Sequence, residues 1–104
     1  MIQKFAFDPT RVIIYGGGGL SKMIIETVRA TGAYQIAGII DDSMPKGSDV
    51  IGSPVLGGEE MLPDLYASGV RMAVNSVGGI GDYRVRLSVF ERLAAAGFVC
   101  PAIV

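Results

Sequence analysis

The chain has 104 residues, half of them hydrophobic, with 9 basic and 10 acidic side chains and a net charge of −1. That is enough chain for one small domain with one core, and the composition argues against disorder. The near-neutral balance without a Lys/Arg cluster excludes a nucleic-acid or membrane-surface role built on a basic patch, and the apolar runs are too short and too interrupted to span a bilayer.

Met1 to Thr10 reads as a short leader in which Pro9 stops any early element. No secretory signal is recognisable in it. Arg11 to Tyr15 is apolar on both faces and predicts a central parallel strand. Gly16-Gly17-Gly18-Gly19 follows, and Leu20 to Thr31 then shows helical spacing, with Leu20, Met23, Ile24, Thr27 and Val28 on one stripe and Gly32 as the stop. Tyr34 to Ile40 predicts the second strand, ended by Asp41-Asp42 and followed by a loop over Ser43 to Asp49. Val50-Ile51 and Val55-Leu56 around Gly52-Ser53-Pro54 predict a short strand or extended bridge.

Gly58 to Ser68 has a helical pattern that Pro63 should break or restart. Arg71 to Asn75 predicts another strand, and Ser76 to Gly81 a second glycine loop. Asp82 is a candidate N-cap for a helix running to Ala96, with Val85, Val89, Leu93 and Ala96 on its stripe and Leu87 and Phe90 beside it. Phe98 to Val104 predicts a last strand, with Pro101 pointing to an edge position. The order β-α-β-(β)-α-β-α-β predicts an α/β fold, a small Rossmann-like three-layer domain with a mainly parallel sheet. The abrupt apolar end, Ala102-Ile103-Val104, suggests a domain cut from something longer.

Strand, glycine loop and helix start together make a site for a phosphate or another anion. The glycines let backbone N–H groups approach a ligand, and the helix N-terminus adds unpaired donors and partial positive charge. Gly16-x-Gly18-x-x-Ser21 is an imperfect dinucleotide fingerprint, with Ser in place of the third glycine. A tight turn without a ligand would need fewer glycines. Asp41 lies 22 residues past Gly19, the spacing at which an acidic residue hydrogen-bonds a ribose, and Asp42 stands beside it at the same strand end. Both could instead be a solvated loop start, or could take an amino group or a base N–H.

Gly78, Gly79 and Gly81 expose N–H groups at the same edge, and Arg86, one turn into the following helix, could reach a phosphate or a neighbouring element. Lys22 and Arg84 read as solvated cations, and Met23, Met61 and Met72 as core filler. Cys100 is alone, which leaves no disulfide framework or zinc quartet, and it reads as a buried or half-buried small hydrophobe in a cytoplasmic protein. Histidine is absent, so any chemistry served here proceeds without an imidazole from this chain.

Taken in order, these pieces resemble the N-terminal domain of the NeuD/PglD-type sugar O-acyltransferases, bacterial acetyltransferases acting on sialic acid or on UDP-4-amino sugars. The family's Gly-Ala-Gly-Gly-His-Ala-Lys loop is matched by Gly16-Gly17-Gly18-Gly19-Leu20-Ser21-Lys22. Its Gly-Phe-Leu-Asp-Asp strand end is matched by Gly38-Ile39-Ile40-Asp41-Asp42, and its Pro-Val-Leu-Gly by Pro54-Val55-Leu56-Gly57. Gly81-Asp82 with Arg86, and Ala96-Gly97-Phe98 with Pro101, match the last helix start and the exit from the domain.

The resemblance implies a domain that holds a UDP-sugar or related nucleotide-sugar. Gly16, Gly17, Gly18, Gly19, Leu20 and Ser21 would lie near the pyrophosphate and Asp41 and Asp42 near the nucleoside. It implies no cofactor and no catalytic residue in this domain. A second, hexapeptide-repeat β-helix would carry acetyl-CoA, the catalytic histidine and the trimer contacts. The family's loop histidine is Leu20 here, so recognition would rest on backbone N–H groups. Two other functions fit the same residues: an NAD- or CoA-binding Rossmann module, and a non-binding structural or oligomerisation domain whose glycine loop is closed by side chains.

Overall fold

The computed structural model describes residues 8–77 and 83–100. The elements are β1 (Asp8–Tyr15), α1 (Gly19–Thr31), β2 (Gln35–Ile40), β3 (Asp49–Val50), β4 (Ser53–Gly57), a 3-10 turn (Glu59–Met61), α2 (Leu62–Ala67), β5 (Val70–Asn75) and α3 (Tyr83–Ala95). The five strands form one sheet in the order β3-β4-β2-β1-β5, parallel except for the β3–β4 pair. Val99 extends it past β5: its N–H donates to the Arg71 carbonyl (2.7 Å) and its carbonyl accepts from Ala73 N–H (2.9 Å). The remainder of the expected last strand, from Pro101 on, lies outside the described residues.

Alternation along β1 sorts the core into two layers. Ile13 and Tyr15 join Ile40, Val70 and Ala73 on the face covered by Leu62 and Leu65 of α2 and Val89 and Leu93 of α3. Ile14 joins Ile39, Val55 and Val74 on the opposite face, where Ile25 of α1 packs. With helices on both faces of a mainly parallel sheet, the α/β three-layer Rossmann-like architecture is as the element order predicts.

Several local expectations change. Pro9 does not stop an early element, because β1 begins at Asp8. The pairing of β1 with β5 shifts register between Asp8 and Val12, so proline lies where the ladder is already interrupted. Pro63 restarts the helix rather than breaking it, standing in the first turn of α2 where its missing N–H is not needed. The β3–β4 bridge is a true hairpin, turning on Ile51 (φ 38°) and Gly52 (φ 90°).

The buried stripe of α1 is Ser21, Ile25 and Val28, with Ile24 half-buried. Leu20 is 40% and Met23 63% exposed, so Met23 is not core filler. On α3, Val89 and Leu93 are buried, while Val85 and Leu87 are exposed and Phe90 is half-buried; Ala96, half-buried too, lies just past the helix end rather than on its stripe. Cys100 is exposed rather than buried, since it follows Val99 at the outer margin of the sheet. Lys22 and Arg84 are exposed, and Met61 and Met72 half-buried, as their positions suggested.

Candidate functional site

The register places the site. Tyr15 is opposite Ile40 of β2 on one side and Asn75 of β5 on the other, so the chain leaves three neighbouring strands in one row at Gly16, Asp41 and Ser76. The connections from β1 and β5 then diverge, α1 to one face of the sheet and α3 to the other. Such a divergence at the carboxyl ends of parallel strands opens the crevice in which doubly wound sheets hold ligands.

Gly16 is at the floor of this crevice. Its φ is +108°, and a Cβ there would lie 2.6 Å from Val77 Cγ2 and 2.9 Å from Ser76 Oγ, so only glycine fits. Its N–H donates to the Ile40 carbonyl (2.6 Å), and its carbonyl accepts from Ser76 Oγ (2.5 Å). The Gly17 N–H donates to Asp41 Oδ2 (2.7 Å). The Ser21 N–H (3.0 Å) and hydroxyl (2.5 Å) both turn back to the Gly18 carbonyl, and this side chain is fully buried.

Among the described residues none accepts from the N–H groups of Gly18 or Leu20. Gly18 is the N-cap of α1, which has no acidic residue in its first turn, and a Cβ on Gly18 would meet nothing within 4 Å. The open donors of the loop therefore start at Gly18, at the positive end of a 13-residue helix. Leu20, in the first turn of that helix, is exposed.

The two aspartates do different work. Asp41 accepts three backbone N–H groups: Gly17 on Oδ2, and Ser43 (2.8 Å) and Met44 (3.1 Å) on Oδ1. Desolvation pushes its pKa up, and the three donors outweigh it, so the carboxyl lies below its ordinary value. Asp42 faces the α3 side. Its Oδ2 accepts from the Tyr15 hydroxyl (2.7 Å) and lies 3.5 Å from Arg92 Nη1, and its Oδ1 accepts from Glu59 N–H (2.8 Å).

Arg92 also reaches Glu59 (3.4 Å), the Tyr15 hydroxyl (3.2 Å) and Ser88 Oγ (3.2 Å). Burial and then the bond to Asp42 raise the Tyr15 pKa, which keeps the phenol neutral. Tyr15, Gly16, Asp42, Val77, Val85 and Arg92 line a hollow of about 190 Å³, into which Asp41 also opens. A broader groove of about 670 Å³, bounded by Glu59, Glu60, Leu62 and Pro63, shares the Asp42–Arg92 wall.

The crevice thus brings together Gly16, Gly17, Asp41 and Asp42, with Gly18, Gly19 and Leu20 following at the start of α1. Arg86 is not among the residues that line the hollow, but it contacts one that is. It reaches the Val77 carbonyl (3.4 Å), lies 5.6 Å from the Phe90 ring, and its own carbonyl accepts from Asn75 Nδ2 (2.9 Å). Gly78, Gly79, Gly81 and the N-cap candidate Asp82 lie outside the described residues. Tyr15, Ser76 and Arg92 escaped the sequence argument. Tyr15 read only as a strand end, nothing in the local pattern singled out Arg92, and they meet across 77 positions. Among the described residues no group of three or more His, Cys, Asp or Glu side chains could hold a metal ion, and no helix is long and apolar enough to cross a membrane.

Fold and crevice define a Rossmann-like α/β unit with a glycine loop at its switch point. The family model described as the PglD N-terminal domain matches residues 11–93, and the chain belongs to that family. Its structure is similar to that of a mutant perosamine N-acetyltransferase from Caulobacter crescentus in complex with CoA and GDP-perosamine (32% identity, TM-score 0.75, covering 92% of this chain and 42% of that one). It is similar also to the acetyltransferase domain of PglB from Neisseria gonorrhoeae in complex with acetyl coenzyme A (30% identity, TM-score 0.68, covering 88% and 42%). RSP, a Rex-family repressor, shares the fold at 18% identity (TM-score 0.66, covering 86% and 42%). The chain thus spans 42% of the length of each of these proteins. No curated protein matches it.

Proposed function

We propose that residues 1–104 form the nucleotide-sugar-binding domain of an acetyl-CoA-dependent sugar acyltransferase. The diphosphate lies against the open N–H groups that start at Gly18, and the nucleoside or sugar extends into the hollow beside Asp42 and Arg92. The observation that carries this is the uncapped, acid-free start of α1, opening through Gly18 at the switch point where Asp42 and Arg92 line a hollow. Membership of the PglD N-terminal family, and the GDP-perosamine complex of a 32%-identical relative, support the same choice.

Acyl transfer, acetyl-CoA binding and homotrimer formation are proposed for a hexapeptide-repeat domain of the longer protein, and the location for the cytoplasm. This division agrees with the chain covering 42% of relatives that bind coenzyme A, and with its lack of histidine. Thermal unfolding tests the proposal. UDP- or GDP-linked amino sugars at about 100 times Kd should stabilise the domain by about 2.7 kcal/mol. Stabilisation by NADH or coenzyme A with no effect of any nucleotide-sugar would reject it.

A further inference from the structure

The glycine loop is tied down at one point that the anion site does not itself explain. Asp41 holds the Gly17 N–H at 2.7 Å with one carboxylate oxygen, and the Ser43 and Met44 N–H groups at 2.8 and 3.1 Å with the other. One carboxylate thus stitches the loop after β1 to the loop after β2. The second loop then closes over the first, because a Cβ on Gly17 would lie 2.5 Å from Met44 Sδ. Consecutive glycines have the widest conformational choice of any residues, and ordering them on binding costs affinity. A charged acceptor on the middle of such a run removes that choice before the ligand arrives. Three of the four or so lone-pair directions of Asp41 are already filled by the protein's own backbone.

We propose that Asp41 is a positioning residue, which locks the Gly16–Gly19 loop in its anion-receiving conformation by holding the Gly17 N–H, rather than a ligand of the nucleoside. The inference rests on the anion site placed at this loop. It differs in sign from plain electrostatics. Removing a carboxylate beside a phosphate should by itself tighten anion binding, whereas loosening the loop should weaken it by the fraction of time the loop spends in the receiving conformation.

Inorganic pyrophosphate, which has neither base nor ribose, separates the roles. Asp41→Ala should weaken pyrophosphate and a nucleoside-diphosphate sugar by the same factor, about tenfold if the freed loop is competent a tenth of the time. Should the alanine variant fail to fold, Asp41→Asn serves. The amide keeps the size but presents a donor on one edge, so it cannot satisfy both loops. In the unliganded protein the Gly17 amide proton resonance should move upfield in either variant. Unchanged or tighter pyrophosphate binding with weakened nucleotide-sugar binding would overturn the proposal and make Asp41 a nucleoside ligand. So would a Gly17 resonance that does not move. A wild type that binds neither compound would instead reject the anion site itself, and this inference with it.

Discussion

Gly18 has φ −74° and ψ −164°, an extended conformation open to any residue, and empty space where a Cβ would stand. As the N-cap of α1 it leaves the helix start unsatisfied. Gly18→Asp should therefore cap the helix and complement its dipole, adding about 0.5 kcal/mol of stability. In a domain of this size that raises Tm by about 2–4 °C. Two residues earlier the sign reverses: Gly16→Ala should cost about 2 kcal/mol or more, from its positive φ and its contact with Val77. Paired denaturation curves of the two variants check both numbers.

Two titrations belong to the same scale. Asp41 has a folded pKa below its ordinary 3.8, so its contribution to stability is present above that value and lost as pH falls through the folded pKa. Tyr15 has a folded pKa raised above its ordinary 10, so its contribution is present below pH 10 and lost as pH climbs towards the folded value. Stability measured against pH in Asp41→Asn should lose the acid limb assigned to this carboxyl. In Tyr15→Phe it should lose the alkaline one.

Helix α1 shows how an element can be recognised while its orientation is misjudged. Its start after the glycines and its stop at Gly32 (φ 69°) follow from the backbone chemistry of those residues. The apolar stripe through Leu20 and Met23, however, is rotated about one residue from the buried one. Ser21 is buried because its hydroxyl closes on the Gly18 carbonyl, leaving no unsatisfied polar group for solvent to claim. Alanine substitution separates the two stripes. Ile25→Ala removes a fully buried side chain and should cost about 2–5 kcal/mol, whereas Met23→Ala should change stability by less than about 0.5 kcal/mol. Chemical denaturation of both variants decides whether the core-facing side is assigned correctly.

Over the whole molecule, strands alternating with helices made the parallel sheet legible, and Gly16 to Gly19 with Asp41-Asp42 made one edge of it a candidate site. Strand register turns those separate stretches into a crevice, because Gly16, Asp41 and Ser76 leave the sheet side by side. What the sequence could not show is how its polar groups are shared out. Asp41 is taken up by the backbone of two loops, and Asp42 by Tyr15 and Arg92. Those partners are set by three-dimensional proximity, and no local spacing encodes them.

Arg92, Asp42 and Glu59 are each a third to a half exposed, so their ion pairs add little stability in water. Asp42 and Arg92 stand on the wall shared by the hollow and the broader groove, and Glu59 on the groove alone. The most direct measurement is calorimetric titration of wild type and Gly18→Asp with UDP- and GDP-linked amino sugars, with NADH as the competing ligand. The account predicts that the wild type binds a nucleotide-sugar in preference to NADH, and that Gly18→Asp loses that binding while remaining folded and at least as stable. Equal nucleotide-sugar binding by both proteins would contradict it.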